Sequence, residues 1–177
     1  MKKMIDELWD GEISPQDTLI SDNQEYRELQ HRQSKNKAEL LEALSDEQKE
    51  LLEKFLLQTV SFHDVANETF YHGLILGLCA MLNNQYRLTS NREAGNGRFD
   101  IQMLPLNKLL PGILIELKAG KDCTEEQLSR LADAALKQIN DKQYDADMVA
   151  QGVTEILQYG IAFSGKKACV RAEEVRL

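Results

Sequence analysis

The segment ILIELKA at positions 113–119 constrains the fold of this chain more than any other. A short, nearly continuous run of Ile and Leu is typical of a central strand that is covered on both faces. Residues two apart in a strand point to the same face, so Glu116 and Lys118 stand side by side. Charged groups are rarely buried unless they are paired or bind a metal. The segment therefore predicts a polar site on a central strand.

The flanking patterns predict the order of the other elements. A helix over 61–82, apolar all round in its second half, precedes strand-like segments at 86–90 and 98–104, and Asn96-Gly97 between them is a typical hairpin turn. Thr124 and Gln127 form a capping box that opens a helix through about residue 140. Two more strands, over 154–165 and 168–172, follow. The order α-β-β-β-α-β-β from residue 61 predicts an α/β (α+β) protein with a mixed central sheet.

The first 60 residues have a different composition and predict an acidic helical hairpin or bundle, followed by a second domain over 61–177. Residues 1–82 contain 8 Lys and Arg against 16 Asp and Glu, whereas residues 83–177 contain 13 of each. The net charge of −8 therefore lies in the first half. An anionic partner remains compatible with the second half, although the strongly basic surface of a typical DNA-binding protein is absent.

The spacing of the cysteines and the length of the apolar runs predict the cellular compartment. No apolar run approaches the roughly 18 residues that a membrane span needs. The N-terminal sequence MKKMIDELWDGE has no apolar stretch behind its lysines, so we expect no signal peptide. Cys79, Cys123 and Cys169 are far apart, which is typical of reduced thiols. We therefore expect a cytoplasmic protein without a membrane partner.

Asp100 can complete a site with Glu116 and Lys118. If strands two and three are neighbours, Asp100 lies beside Glu116, and two close carboxylates repel unless a cation lies between them. Mg²⁺ accepts one or two carboxylates together with waters and substrate phosphate. An added lysine can position or activate water, so the three residues suit metal-assisted phosphodiester hydrolysis. The alternative is an ion-pair triad in which Lys118 only satisfies the two acids.

Several motifs together resemble one family. They are ETFYHGLILGL at 68–78, SNREAGNGRFD at 90–100, ILIELK at 113–118, QINDKQY at 138–144 and YGIAFSGKKACV at 159–170. In this combination the chain resembles the PD-(D/E)XK nuclease superfamily over about residues 65–171. More narrowly, it is similar to the nuclease-like domain often found behind an AAA-ATPase-like domain in bacterial proteins. The resemblance implies a restriction-endonuclease-like αβββαβ core. Residues 1–82 resemble, less specifically, small uncharacterised bacterial helical proteins.

The resemblance implies roles for the acids and the lysine. Asp100 and Glu116 would be metal ligands, with the Leu117 carbonyl as a third, and Lys118 would activate water or stabilise charge. Glu68 resembles an additional acid that many members place near the metal. Its alternative is a side-chain pair with the residue four positions later on the same helix.

Three further residues have weaker assignments. Gln138 resembles a helix glutamine that orients Lys118 or contacts backbone phosphate, and its alternative is a buried polar group bonded to the sheet. Tyr144 and Arg98 are candidates for substrate phosphate contact, although Tyr144 fits packing as well.

These residues support three functional hypotheses. The first is a nuclease that uses Mg²⁺ or Mn²⁺ to cut DNA, with RNA left open and a homodimer expected if both strands are cut. The second is a catalytically silent nuclease-like fold that binds nucleic acid or protein, which the neutral charge of 83–177 favours. The third is an interaction protein whose acidic residues 1–60 engage a protein partner. The sequence gives no cleavage specificity.

Overall fold

A computed structural model describes residues 45–58, 60, 67–94, 97–107 and 109–177 of the chain. These residues belong to one compact unit, Ser45–Leu177. No helix within these ranges is long and apolar enough to cross a membrane. Most of the predicted helical hairpin falls in 1–44, which lies outside the described residues.

Five strands form the main sheet: β1 (Tyr86–Ser90), β4 (Ile101–Pro105), β5 (Gly112–Ala119), β6 (Glu155–Ser164) and β7 (Lys167–Arg176). Their spatial order is β1-β4-β5-β6-β7. β5 and β6 are parallel, and the other neighbours are antiparallel. The prediction of a mixed sheet is confirmed, and so is the central position of β5.

Two further strands form a small hairpin next to the sheet: β2 (Glu93–Ala94) and β3 (Gly97–Arg98). The backbone of Ala94 pairs with that of Gly97. Gly97, predicted as a turn residue, therefore lies in a strand. Asn96 is outside the described residues.

The helices are α1 (residues 45–58 are described), α2 (Glu68–Ala80), α3 (Glu125–Lys142) and the short α4 (Ala146–Ala150). The capping box predicted at Thr124 is present, because Thr124 and Gln127 each accept a backbone hydrogen bond from the other. Chain order from α2 onward confirms the predicted α-β-β-β-α-β-β sequence, with the small hairpin and α4 as additions. This arrangement agrees with the αβββαβ core that the resemblance implies.

Helices cover both faces of the central strands. On one face, the Tyr71 ring of α2 stacks on Phe163 of β6, with ring centroids 4.3 Å apart. On the other face, Leu128 and Ala132 of α3 pack on Ala162 of β6. Residues 112–117 of β5 are all buried, which explains why this strand is almost entirely apolar. Because Glu116 and Lys118 share the face of Ala162, they point toward α3.

Helix α1 packs against the edge strand β7. Leu56 is fully buried, and the Glu53 carboxylate accepts a 2.9 Å hydrogen bond from the Ala168 backbone N–H. The Lys166 ammonium donates to the Leu57 carbonyl at 3.4 Å. Residues 45–58 thus contact the sheet directly, and the predicted division between 1–60 and 61–177 remains a prediction.

Candidate active site

Asp100 and Glu116 meet where the pairing of β4 with β5 ends. Ile101 of β4 and Ile115 of β5 are the last pair of that antiparallel register. The residue before Ile101 is Asp100 and the residue after Ile115 is Glu116, so these two acids follow the last pair on opposite strands. Beyond this pair, the Asp100 Oδ2 accepts a 2.7 Å hydrogen bond from the Leu117 backbone N–H. A side chain thus replaces a strand partner at this point. The sequence prediction that the two acids are neighbours is confirmed.

Glu116 is the buried acid of the site, with 3% of its surface exposed. Its Oε1 accepts hydrogen bonds from Lys118 Nζ at 3.0 Å and from Gln138 Nε2. Its Oε2 is buried and has no hydrogen-bond partner among the described residues. A buried oxygen without a partner costs free energy unless something else binds it.

The surroundings of Glu116 favour its neutral form. Burial, and then the charge of Asp100, raise the pKa of Glu116 from 4.5 to about 7. The hydrogen bond and the charge of Lys118 act in the opposite direction without cancelling the rise. A cation between the two carboxylates would reverse this balance.

Lys118 pairs with Glu116 and not with both acids. Its side chain is 27% exposed, and the described residues include no ion pair between Lys118 and Asp100. The alternative of a self-satisfied triad therefore fits poorly, because Asp100 instead accepts from the Leu117 backbone. The lysine side chain remains partly accessible next to a buried carboxylate.

Gln138 links Glu116 to Tyr144. Its Nε2 donates to the Glu116 carboxylate and lies 3.2 Å from the Tyr144 hydroxyl. Tyr144 is only 2% exposed and packs edge-to-face on Phe99. Gln138 is thus bonded to the sheet, as one interpretation expected, and its sheet partner is a candidate metal ligand.

The remaining predicted residues lie at the surface. Glu68 is exposed in the first turn of α2, and Arg98 is exposed on β3. The structure does not show either of them in contact with Asp100 or Glu116, and their assigned roles remain predictions.

Sequence reasoning did not assign His72 to the site. Its Nε2 lies 3.2 Å from the Asp100 carbonyl oxygen. The motif at 68–78 contained this residue, but only the fold shows that α2 brings it to the start of β4.

The donor set fits a divalent ion that retains water ligands. No group of three or more His, Cys, Asp or Glu suited to a metal occurs within the described residues. Two carboxylates are enough for Mg²⁺, which usually keeps several waters. A strand residue directs its N–H and C=O to the same side, so the Leu117 carbonyl points to the side of β5 on which Asp100 lies. The buried Glu116 Oε2 adds an oxygen ligand without a present partner.

A five-stranded mixed sheet with two acids and a lysine at the end of one strand pairing defines a nuclease-like α/β protein. Residues 66–173 match the family model of the PD-(D/E)XK nuclease superfamily, and the chain belongs to this superfamily. The match confirms the family resemblance and the fold class. It implies a nuclease-like function and a general use of divalent metals.

The N-terminal part matches a second family model. Residues 1–83 are similar to a family of unknown function, DUF6809, which suggests no activity. The two matches overlap over residues 66–83, a range that contains α2. The comparison with curated proteins gave no match.

Proposed function

We propose that this protein is a metal-dependent nuclease that hydrolyses phosphodiester bonds in DNA. The observation that supports it most is the pair formed by Asp100 and Glu116 at the end of the β4–β5 register. Each carboxylate has one oxygen, Asp100 Oδ1 and Glu116 Oε2, that accepts no hydrogen bond from the described residues. Neither oxygen has a donor among the described residues, so each has a lone pair for a cation, and a cation reaches the buried Glu116 Oε2 only when that side chain shifts.

These oxygens and the Leu117 carbonyl would hold Mg²⁺ or Mn²⁺, with Glu68 as a further ligand through water. A bound divalent ion would polarise the scissile phosphate and lower the pKa of an attacking water. Glu116 must be ionised to act as a ligand, and its pKa of about 7 means that binding releases a proton near neutral pH.

Lys118 provides a positively charged side chain next to the proposed metal ligands. Its ammonium lies 3.0 Å from Glu116 Oε1, and its side chain is partly open to solvent. From this position it can orient the attacking water, accept its proton when deprotonated, or neutralise charge on the phosphate. Gln138 donates to the same carboxylate and also contacts the buried Tyr144 hydroxyl, so Gln138 would keep the carboxylate aimed at the ion.

The substrate would approach past the β2–β3 hairpin. A Cβ built on Gly97 would lie 3.1 Å from the Tyr144 hydroxyl and 3.4 Å from Lys142 Cδ, so the hairpin touches the end of α3. Arg98 and Lys142 are both exposed there, and neither forms a salt bridge within the described residues. Such cations suit contacts with backbone phosphate. We also propose a cytoplasmic location, which the free thiols of Cys79, Cys123 and Cys169 support. For cleavage of both DNA strands we propose a homodimer.

The test is cleavage of supercoiled plasmid and of labelled single-stranded and branched DNA in Mg²⁺, Mn²⁺ or EDTA. Cleavage that requires the metal and disappears in Glu116→Ala would support the proposal. Asp141→Ala is the matched control, since Asp141 is an acid on the exposed side of α3 that pairs with Lys137. A folded wild-type protein that cuts none of these substrates, nor RNA, would contradict the nuclease assignment.

A catalytically silent binding module is the second candidate. The balance of 13 cations and 13 anions over 83–177 favours it, because little positive potential is available to attract a polyanion. Labelled DNA that is bound equally in EDTA and in Mg²⁺, without cleavage, would favour this candidate over the first.

A further inference from the structure

His72 lies among three polar atoms where β1 ends and β4 begins. Its Nε2 is 3.2 Å from the Asp100 carbonyl oxygen, 3.3 Å from Ser90 Oγ and 3.2 Å from Asn91 Nδ2. His72 is half-buried in α2, whereas Ser90 ends β1, Asn91 follows it and Asp100 directly precedes β4. The contact therefore connects a helix to the backbone of a candidate metal ligand.

The Asp100 carbonyl can only accept a hydrogen bond and the Asn91 side-chain nitrogen can only donate one, so the two contacts need opposite tautomers of His72. The contact with Asp100 forms when Nε2 carries the proton, and the Asn91 amide then has to turn its Oδ1 to the ring. The same carbonyl accepts a 3.0 Å hydrogen bond from the Asn91 backbone N–H. Asn91 has a positive φ of 51°, so the chain turns sharply just after β1. Two donors from different elements thus fix the Asp100 backbone.

Asp100 needs this support because it lies outside the β4 strand. Its register with β5 has ended, and its carboxylate contacts β5 through a single hydrogen bond to the Leu117 N–H. The direction of the free Oδ1 depends on where the Asp100 backbone lies. Site residues need to be held within about 0.5 Å of their productive geometry.

We propose that His72 is a positioning residue, which fixes the Asp100 backbone so that one carboxylate oxygen binds Leu117 N–H and the other faces the metal site. The expected effect of His72 on metal binding rests on the proposed function. The expected effect of His72 on the Asp100–Leu117 hydrogen bond is independent of that function and can be measured without metal.

Two substitutions separate the hydrogen bond from the space that the ring fills. In His72→Gln the amide nitrogen can stand where Nε2 stands, because three bonds connect each nitrogen to Cβ. In His72→Leu the side chain fills part of the same space, ends one bond short of the Nε2 position and has no donor. If His72→Leu does not fold, His72→Asn replaces it, because its amide nitrogen also ends one bond short of the Nε2 position. Thr69→Ala, an exposed position on α2, is the matched control.

The first measurement is the hydrogen-exchange rate of the Leu117 amide, followed by NMR on the full chain without metal. We expect exchange to become roughly fivefold faster in His72→Leu, as for the loss of one hydrogen bond, and to stay near wild type in His72→Gln. Amides of β5 that face β6 are the internal reference. An unchanged Leu117 rate in a folded His72→Leu protein would overturn the inference, as would a Gln variant that behaves like Leu.

The second measurement is Mn²⁺ affinity by electron paramagnetic resonance, at a constant pH. Loss of a supporting residue typically weakens metal binding by about 10-fold or more, and we expect this in His72→Leu and recovery in His72→Gln. Unchanged affinity in His72→Leu would overturn the metal consequence while the wild-type nuclease assignment stands. A wild-type protein that does not bind Mn²⁺, with a Leu117 amide still sensitive to His72, would instead contradict the proposed function and leave the positioning role intact.

Discussion

Gly160 lies directly across from Glu116 in the parallel pair of β5 and β6, at the point where α3 touches the sheet. A Cβ built on Gly160 would stand 2.3 Å from the Ala132 carbonyl oxygen and 2.6 Å from the Leu136 backbone nitrogen. Only a residue without a side chain allows the helix backbone to come this close. This close approach brings Gln138 of α3 within reach of Glu116.

Gly160→Ala should therefore destabilise the protein and disturb the site. The obstructing atoms belong to the helix backbone and cannot rotate away, so α3 must move outward, at a typical cost of about 1–3 kcal/mol. Urea unfolding measures the change. Gly73→Ala is the matched control, since a Cβ there meets nothing within 4 Å and alanine favours a helix. Equal stability of the two variants would contradict this account of the α3 packing.

The sequence predicted the elements whose signals are local. The apolar run at 113–119 identified the central strand, because a strand covered on both faces has little room for polar side chains. The alternation of strand side chains placed Glu116 beside Lys118, and the antiparallel neighbour placed Asp100 beside Glu116. These relationships depend on spacing of a few residues or on one hairpin.

Contacts that depend on how separate elements cross were not predictable from the sequence. His72 and Asp100 are 28 positions apart, and Gln138 and Glu116 are 22 positions apart. Each pair meets only because a helix lies over the sheet at a particular height and angle. The resemblance suggested Lys118 or phosphate as the partner of Gln138, whereas the structure shows the Glu116 carboxylate. Periodicity fixes the face of a helix but not its position along the strands.

Glu116→Gln should stabilise the metal-free protein more at pH 8.5 than at pH 5. The pKa of Glu116 is about 7 in the folded protein against 4.5 ordinarily, so the folded state binds more protons between these values. Stability contributed by this group is therefore lost as pH rises through that window. Thermal unfolding in EDTA at both pH values measures the difference. The same difference in melting temperature at both values would contradict the raised pKa.

Lys118→Met should abolish cleavage while the fold persists. The methionine keeps most of the apolar length of the side chain, but it removes the charge next to Glu116. Loss of a group that transfers a proton or stabilises charge typically costs about 10²–10⁴-fold in rate. Single-turnover cleavage in Mg²⁺ measures it, with Lys137→Met as control on the exposed side of α3. A Lys118→Met protein that cuts at the wild-type rate would remove this lysine from the mechanism.

Mg²⁺ or Mn²⁺ should raise the melting temperature of the wild-type protein. A ligand that binds only the folded state stabilises it by about 2.7 kcal/mol at 100 times its dissociation constant. Because Glu116 has a pKa of about 7 and must be ionised to bind the ion, the shift should be larger at pH 8 than at pH 6. Glu116→Ala should lose the shift, and Asp141→Ala should retain it. A shift that survives in Glu116→Ala would place the ion elsewhere.

A chain that begins at Ser45 should fold cooperatively, whereas one that begins at residue 61 should be less stable or aggregate. Residues 45–58 provide the fully buried Leu56 and the Glu53 carboxylate that accepts from Ala168 on β7. Without them, the edge strand exposes apolar surface and an unpaired N–H, features that favour association between sheets. Urea unfolding and light scattering of the two truncated chains make the comparison. Within the full chain, Leu56→Ala should cost about 2–5 kcal/mol, the usual range for a buried leucine, and Leu57→Ala at an exposed position should cost much less. Equal behaviour of the two truncated chains would support the predicted domain boundary at residue 60, and unequal behaviour would move it to the start of the helix that contains Leu56.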